Sequence, residues 1–457
     1  MPAQRPNVIV FFSDQQRYDT AGCYGGLANI TPHLDAMAAS GTKLEYSFTV
    51  QPVCGPARSC FQTGRYAAGP QGTGCWRNGI ALRDDEPHTL ARLFAANGYR
   101  TGYIGKWHLF EEGKDTMNQR WWTAPVPPHA RAGYQDWYGA NILEFFSEPY
   151  AFRVQDANGV EVRRGGYRVD AQTDVMLEYL RDSARHQQPF FLFNSYIEPH
   201  HQNHMNRYYG PEGSRERFKN AWVPNDLRNH HGKGDWEKEW PDYLGCCASL
   251  DDNLGRLRAA LRNFGLAENT IVLYCSDHGS HFRLRNGEYK RSCHEASIRV
   301  PSVIEGPGFE GGVTVRELVS LLDWPATLLD AAGIEVPSSY QGRSVLSLVQ
   351  AARGGQAAPA WPQEVFVQIS ESHIGRAIRT KQWKYSVGAS KDAEDGAGGA
   401  KRYEEQFLYD LAKDPYEQRN LIQDPALASV RGDLRAALLR RLEAAGEVRP
   451  DIVPAAS

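Results

Sequence analysis

The chain has 457 residues, 41% apolar and 23% charged, with 43 glycines and 26 prolines, which suits a globular protein of two or three loop-rich domains. Its formal net charge of −3 and the absence of any basic run exclude nucleic-acid binding as the main role. No segment approaches the roughly 18–20 apolar residues of a membrane-spanning helix, which excludes a membrane-embedded chain.

At the N-terminus, MPAQRPNVIVFFSDQQ has too short an apolar run for a secretory signal. Without an export signal the eight scattered cysteines predict no disulfide framework, so the chain is read as soluble and cytoplasmic with reduced thiols. NVIVFF (7–12) is short, β-branched and bounded by polar residues, as expected of a buried strand. TPHLDAMAASGT (31–42) predicts a helix with a threonine cap, proline at its first position and glycine at its end. HTLARLFAANGYRTGYIGKWH (88–108) predicts helix, glycine stop, strand and loop. PFFLFNSYIEPHH (189–201) and NTIVLYCSDHGSH (269–281) are two further buried strands, separated by an amphipathic helix over 243–265. The alternation predicts an α/β fold with a large, mostly parallel sheet flanked by helices.

Such sheets carry their chemistry in loops beyond the carboxyl ends of the strands. Asp14, Lys106, His108, His200, Asp277 and His278 all fall just past a predicted strand, so one edge of one sheet would gather them. The segment 350–363, QAARGGQAAPAWPQ, reads as a linker. Beyond it, EVFVQI, GRAIRT, WKYSV and QFLYDL predict a small antiparallel sheet with one packed helix, and 388–402 a polar, glycine-rich loop. The expected division is a catalytic domain over 1–352 and an α+β subdomain over 353–457.

QPVCGPARSCFQTGRY (51–66) raises a separate question, because Cys54 precedes Pro56 and Arg58 and the stretch closes on Thr63-Gly64-Arg65. A zinc site needs about four nitrogen or sulfur ligands in close spacing, and Cys54 and Cys60 have no histidine near them. A papain-like thiolate gives the proline and arginine no role. An inert buried thiol is the ordinary condition of a cysteine and suits Cys23, Cys246, Cys247 and Cys275. C-x-P-A-R followed by T-G-R closely resembles the signature of type I sulfatases, of the alkaline phosphatase-like superfamily. GYRTGYIGKWH, YIEPHH, YCSDHGSH, KRSCHEASIRVPSVI and LYDLAKDPYEQRNL match that family in order, over nearly the whole chain.

The resemblance implies that a formylglycine-generating enzyme oxidises Cys54 during synthesis to formylglycine (3-oxoalanine). The aldehyde hydrate would attack sulfur, form a covalent sulfo-enzyme, and release sulfate by loss of a proton from its second hydroxyl. It implies metal ligation by Asp14, Gln15, Asp277, His278 and the modified Cys54, with Ca²⁺ first and Mg²⁺ or Mn²⁺ as alternatives. Gln15 and His278 depart from the commonest aspartate and asparagine of the family, and an imidazole nitrogen suits manganese or zinc better than calcium. Arg58, Lys106 and Lys290 would supply positive charge to the sulfate oxygens. His108 would act as base, and His200 and Lys290 would serve the leaving oxygen.

The implied substrate is a small sulfate monoester, of a sugar or an aryl group. The runner-up is a phosphonate or phosphate monoester hydrolase of the same superfamily; the Lys106 and His108 pair favours sulfate. His201, His204, His281 and His294 surround the motif loops, Arg291 competes with Lys290, and Trp76, Arg77 and Asn78 could form a mouth. Trp121, Trp122, Trp137, Trp222, Trp236 and Trp240 lie in the candidate recognition loops. The oligomeric state has no signature in the sequence.

Overall fold

A computed structural model describes residues 5–111, 122–230, 232–389 and 395–455. Trp121 and part of the glycine-rich loop over 388–402 lie outside the described residues. The run NVIVFF belongs to the first of ten strands in one sheet. In chain order these are β1 (Asn7–Asp14), β2 (Thr42–Phe48), β3 (Arg100–Lys106), β4 (Asp136–Ala140) and β5 (Ala151–Gln155). There follow β6 (Glu161–Gly165), β7 (Phe190–Pro199), β8 (Thr270–Ser276), β9 (Ser302–Glu305) and β10 (Val313–Ser320). Their order across the sheet is β10-β2-β9-β8-β1-β7-β3-β4-β5-β6.

β1 lies at the centre, parallel to both β7 and β8, and β3 runs parallel to β7 and β4. The carboxyl ends of β1, β3, β7 and β8 therefore share one edge, as the polar residues after the apolar runs predicted. Every residue of β1 is buried, and its side chains divide by the two-residue period of a strand. Val8, Val10 and Phe12 enter an apolar cluster with Ala57, Phe61 and Phe94, while Ile9 and Phe11 join Leu34, Met37, Leu250 and Leu254 on the opposite face. Helices thus cover both faces, which is why the central strands read as unbroken apolar runs.

Local expectations need three corrections. Thr31 precedes the helix Pro32–Ser40 but its side chain does not cap it; Asp251 instead accepts from the backbone N–H groups of His33 and Leu34, at 2.9 and 2.8 Å. The amphipathic helix begins earlier, spanning Trp236–Asn263 with Pro241 in its first turns. The helix Leu346–Arg353 runs into the expected linker, so the irregular connection starts after it. No helix among the described residues is long and apolar enough to cross a membrane, and all eight cysteines are unpaired.

The second sheet contains β11 (Glu364–Ile369), β12 (Ile374–Thr380), β13 (Trp383–Ala389), β14 (Arg402–Asp410) and β15 (Asp451–Val453), in that order. It is antiparallel except for the short β15, which pairs parallel with β14 and has no clear signal in the sequence. The helix Ala428–Ala444 places Leu434, Leu438 and Leu442 on it, against Ile378 and Tyr385. Val365, Val367, Ile369 and Ala377 meet Phe48, Cys293, Ile298 and Leu318 in an apolar seam with the larger sheet. Beside the seam, buried Lys384 bridges Glu295 at 2.8 Å and Glu417 at 2.5 Å.

Phe12 packs against Phe61 and Phe193 with ring centroids 5.2 and 5.1 Å away, and the Arg58 guanidinium lies 5.3 Å over its ring. Phe12→Ala should lose about 3–5 kcal/mol through lost burial and a residual cavity. In urea unfolding its midpoint should fall, whereas Val160→Ala, at a 60% exposed position, should stay within about 0.5 kcal/mol of the parent.

Candidate active site

The ends of β1 and β8 are tied by backbone bonds. The Asp277 N–H donates to Ser13 O at 3.3 Å, and Asp277 Oδ1 accepts from the N–H groups of Gln15 (3.0 Å) and His278 (2.8 Å). Gln15 turns the chain with a φ of 69°. Its Nε2 donates to Tyr208 Oη at 3.0 Å and its Oε1 accepts from the His201 N–H at 3.2 Å. His278 Nδ1 lies 3.0 Å from Gly279 O, a partner that can only accept, so the ring carries its proton on Nδ1 and turns Nε2 to the centre.

Cys54 opens the helix Cys54–Thr63 with an extended residue, Val53, before it. Asn78 Oδ1 accepts from the Gly55 N–H at 2.9 Å, satisfying one of the free donors of that first turn. Arg58, one turn later, lies on the same face as Cys54. Cys54 Sγ is 2.9 Å from Lys290 Nζ, 3.3 Å from His278 Nε2 and 3.4 Å from Asp14 Oδ1. Burial pushes this thiol up, but Lys106, Lys290, His278 and His200 outweigh it and hold Cys54 well below the usual thiol range. A helix N-terminus acts in the same direction.

Asp14, Cys54, Asp277 and His278 are all buried, and one ligand atom from each lies within 4.8 Å of the others. Burial and Cys54 push the Asp14 carboxyl up; Lys106, His200 and Arg58 overcome them, so it stays well below the ordinary range. Asp277 is pushed up to about 6, first by burial and then by Asp14. Its Oδ2 has no hydrogen-bond partner among the described residues, the nearest cation being Arg58 Nε at 3.4 Å. An unpartnered buried carboxylate oxygen beside a second carboxylate and an inward imidazole nitrogen is the donor set a divalent cation fits.

Three cations surround this cluster. Arg58 donates to Asp14 Oδ2 at 2.9 Å, to Ser195 Oγ at 2.6 Å and to Lys106 O at 3.0 Å. Lys106 Nζ donates to Asp14 Oδ2 at 2.7 Å. Lys290 Nζ also lies 3.1 Å from both His200 Nε2 and His278 Nε2. Lys106 is placed by Gly105, whose φ of 98° and approach to Ser195 O leave no room for a Cβ. Lys106 and His108 share the cavity. The strand ends at Lys106, and His108 (φ 60°) is swung inward with its N–H on Asn141 O. Burial lowers the His108 pKa, and its Nδ1 has no hydrogen-bond partner among the described residues.

The cavity, of about 70 Å³, is lined by Gln15, Cys54, Lys106, His108, His200 and Lys290 together with Asn78, Glu144, His201, Asn203, Glu288, Tyr289 and Arg291. His201 stacks on Tyr289 with centroids 4.2 Å apart. The other three uncertain histidines face elsewhere: His204 toward Glu148, His281 onto Lys290 O and His294 onto Tyr409 Oη. Arg291 does not replace Lys290, because its φ of 65° turns it to Glu288 and Glu371. Of the three candidate mouth residues only Asn78 lines the cavity, and none of the described tryptophans does. Glu144, Asn203 and Tyr289 were not singled out by sequence reasoning, since none belongs to a spaced motif.

A family model described as Sulfatase matches residues 6–334, and one described as N-sulphoglucosamine sulphohydrolase, C-terminal, matches residues 287–444. The chain is 29% identical to the ulvan-active sulfatase of Formosa agariphila, over 97% of this chain and 82% of that protein. It is also 29% identical to bovine (Bos taurus) arylsulfatase K, over 91% of this chain and 78% of the relative. Among solved structures, one from work on glycosaminoglycan metabolism by Bacteroides thetaiotaomicron superposes with a TM-score of 0.82 at 22% identity, covering 97% of each chain; this likeness concerns the fold. The chain belongs to the sulfatase family of the alkaline phosphatase-like superfamily, and it is an enzyme that hydrolyses sulfate esters.

Proposed function

We propose that this sulfatase works through formylglycine made from Cys54, on small sulfate monoesters of sugars or aryl alcohols. The observation that carries the reading is the position of Cys54 Sγ, at the first turn of a helix, within 3.4 Å of Asp14, His278 and Lys290. In the modified protein an oxygen of the aldehyde hydrate would stand where Sγ stands. Ulvan activity belongs to one relative's description, and it is one support for a sugar ester. The division into a catalytic part, 1–352, and a subdomain, 353–457, is part of the same reading, as is a cytoplasmic location, supported by the eight unpaired thiols. The formylglycine-generating enzyme is then the partner required during synthesis.

Asp14, Gln15, Asp277, His278 and the modified Cys54 would hold a divalent ion, with calcium ahead of magnesium and manganese because most donors are oxygens. When bound, such an ion draws charge from the sulfuryl oxygens and makes the hydrate more acidic. The chain's own groups do the rest. Arg58, Lys106 and Lys290 fix the anionic ester and stabilise charge that builds on its oxygens. His108, neutral and with a free ring nitrogen, takes the proton whose loss releases sulfate. His200 and Lys290 serve the leaving oxygen, and a proton there matters more as that oxygen becomes more basic.

In protein made with the modifying enzyme, mass spectrometry of the Cys54 peptide should find formylglycine or its hydrate. Fully active protein with only unmodified cysteine would sink the mechanism. Asp277→Ala should remove activity and bound metal together, as read by elemental analysis; full metal occupancy would deny Asp277 its ligand role. His108→Ala should give a burst of about one equivalent of alcohol and then stall, with labelled sulfate retained on the protein. Its steady rate should fall on the order of 100- to 10,000-fold, and the absence of a burst would place His108 before or during attack.

A further inference from the structure

We propose that Glu144 is a positioning residue for His200, holding the ring with a proton on Nδ1 so that Nε2 is the nitrogen that passes a proton to the leaving oxygen. This inference rests on the reading of His200 as an acid and adds a residue to it. Glu144 lies in the short helix Leu143–Phe146, just after β4, and is only 3% exposed. A buried carboxylate is costly unless it is bonded or faces positive charge. Asn203 Nδ2 donates to Glu144 Oε1 at 2.7 Å, which leaves Oε2 to face His200 Nδ1 at 3.4 Å. Apart from that contact, Nδ1 has no hydrogen-bond partner among the described residues.

The opposite edge of the ring fixes the assignment. His200 Nε2 lies 3.1 Å from Lys290 Nζ. An ammonium has donors and no acceptor, so Nε2 accepts there and the neutral ring carries its proton on Nδ1, toward Glu144. At 3.4 Å the Glu144 contact is longer than an aligned hydrogen bond, and such contacts commonly tighten only when substrate is held. Asn203 keeps the carboxylate from turning away. When the ester O–S bond breaks, its electron pair stays on the alcohol oxygen. With the anionic ester bound, Lys290 turns its ammonium to the ester oxygens, Nε2 takes a proton from solvent, and the leaving oxygen takes that proton. The ring ends neutral with Nδ1–H still on Glu144, as it began. A carboxylate that instead bound a substrate hydroxyl would weaken all esters of one alcohol class alike, without regard to leaving-group basicity.

The experiment uses metal-loaded enzyme carrying the modified Cys54 and a series of sulfate esters from nitrophenyl to alkyl. Glu144→Gln should lower kcat/KM on the order of 100-fold for alkyl sulfates and by no more than about threefold for nitrophenyl sulfate. Combined with His200→Ala, it should add no further loss, because the two act as one unit. Equal losses across the series, or full multiplication in the double variant, would overturn the proposal. If His200→Ala itself lacks leaving-group dependence, the acid reading fails and Glu144 falls with it; a steep His200→Ala with a flat Glu144→Gln defeats Glu144 alone. Glu144→Asp, which keeps the charge but draws it back, should show the same pattern more weakly, and serves if the glutamine variant does not fold. Nitrogen-15 histidine spectra give a readout independent of turnover. The signal lost in His200→Ala should have a protonated Nδ1, and a ring protonated on Nε2 alone would refute the assignment.

Discussion

The Asp14 carboxylate has no exposed surface, yet it accepts from Arg58 and Lys106, cations delivered by a helix and by a different strand. Burying three charges costs more than their attraction returns unless the geometry is close and every remaining donor is satisfied. Here Arg58 also reaches Lys106 O and Ser195 Oγ, while its Nε, with no hydrogen-bond partner among the described residues, faces Asp277 Oδ2 at 3.4 Å. The network therefore locks β1, β3, β7 and the Cys54 helix in a single relative placement. Removing one member would leave a buried charge uncompensated, at a cost of about 3–5 kcal/mol. The position of Cys54 is thus a consequence of charge satisfaction as much as of apolar packing.

The second sheet takes part in the same arrangement. The turn between β11 and β12 brings Ser370 Oγ to Gln51 Nε2 at 2.6 Å, three residues before Cys54, and Ser372 Oγ to Arg291 O at 3.0 Å. Glu371, in the same turn, holds both the Arg291 side chain and the Asn78 N–H. Asn78 in turn caps the Cys54 helix. One turn of the smaller sheet consequently steadies the first turn that carries the thiol, and also the loop that carries Lys290. A mutation in that turn would be felt at the cavity without touching substrate.

The strands and the shared edge were legible because a strand buried on both faces must be apolar until it leaves the sheet. The Ser-Asp pair that follows two of these runs then marks the loops where chemistry sits, at Asp14 and Asp277. Cys54, Arg58, Lys106 and His108 were legible through the resemblance of their motifs to the family's signature. Glu144 and Asn203 were not, because they come from a short helix and a loop whose contacts form only in the folded chain, and their residue types are common at surfaces. The difference between Lys290 and Arg291 was equally hidden. Two adjacent cations look interchangeable in a sequence, and only the left-handed backbone at Arg291 decides which one faces the thiol.

Charge balance links the proposed modification to substrate binding. Around the centre, Arg58, Lys106 and Lys290 face Asp14, Asp277 and a thiol that its surroundings favour as thiolate. With the thiolate present, the side-chain cations and anions match in number, so that before any metal ion is bound an arriving anion would find little net attraction. The proposed oxidation of Cys54 to an aldehyde would remove one of those anions while leaving every cation in place. Lys290, which lies 2.9 Å from the sulfur, would then be free to face an anionic oxygen. The conversion would in this way supply a nucleophile and, in the same step, uncover the positive charge that a sulfate ester needs.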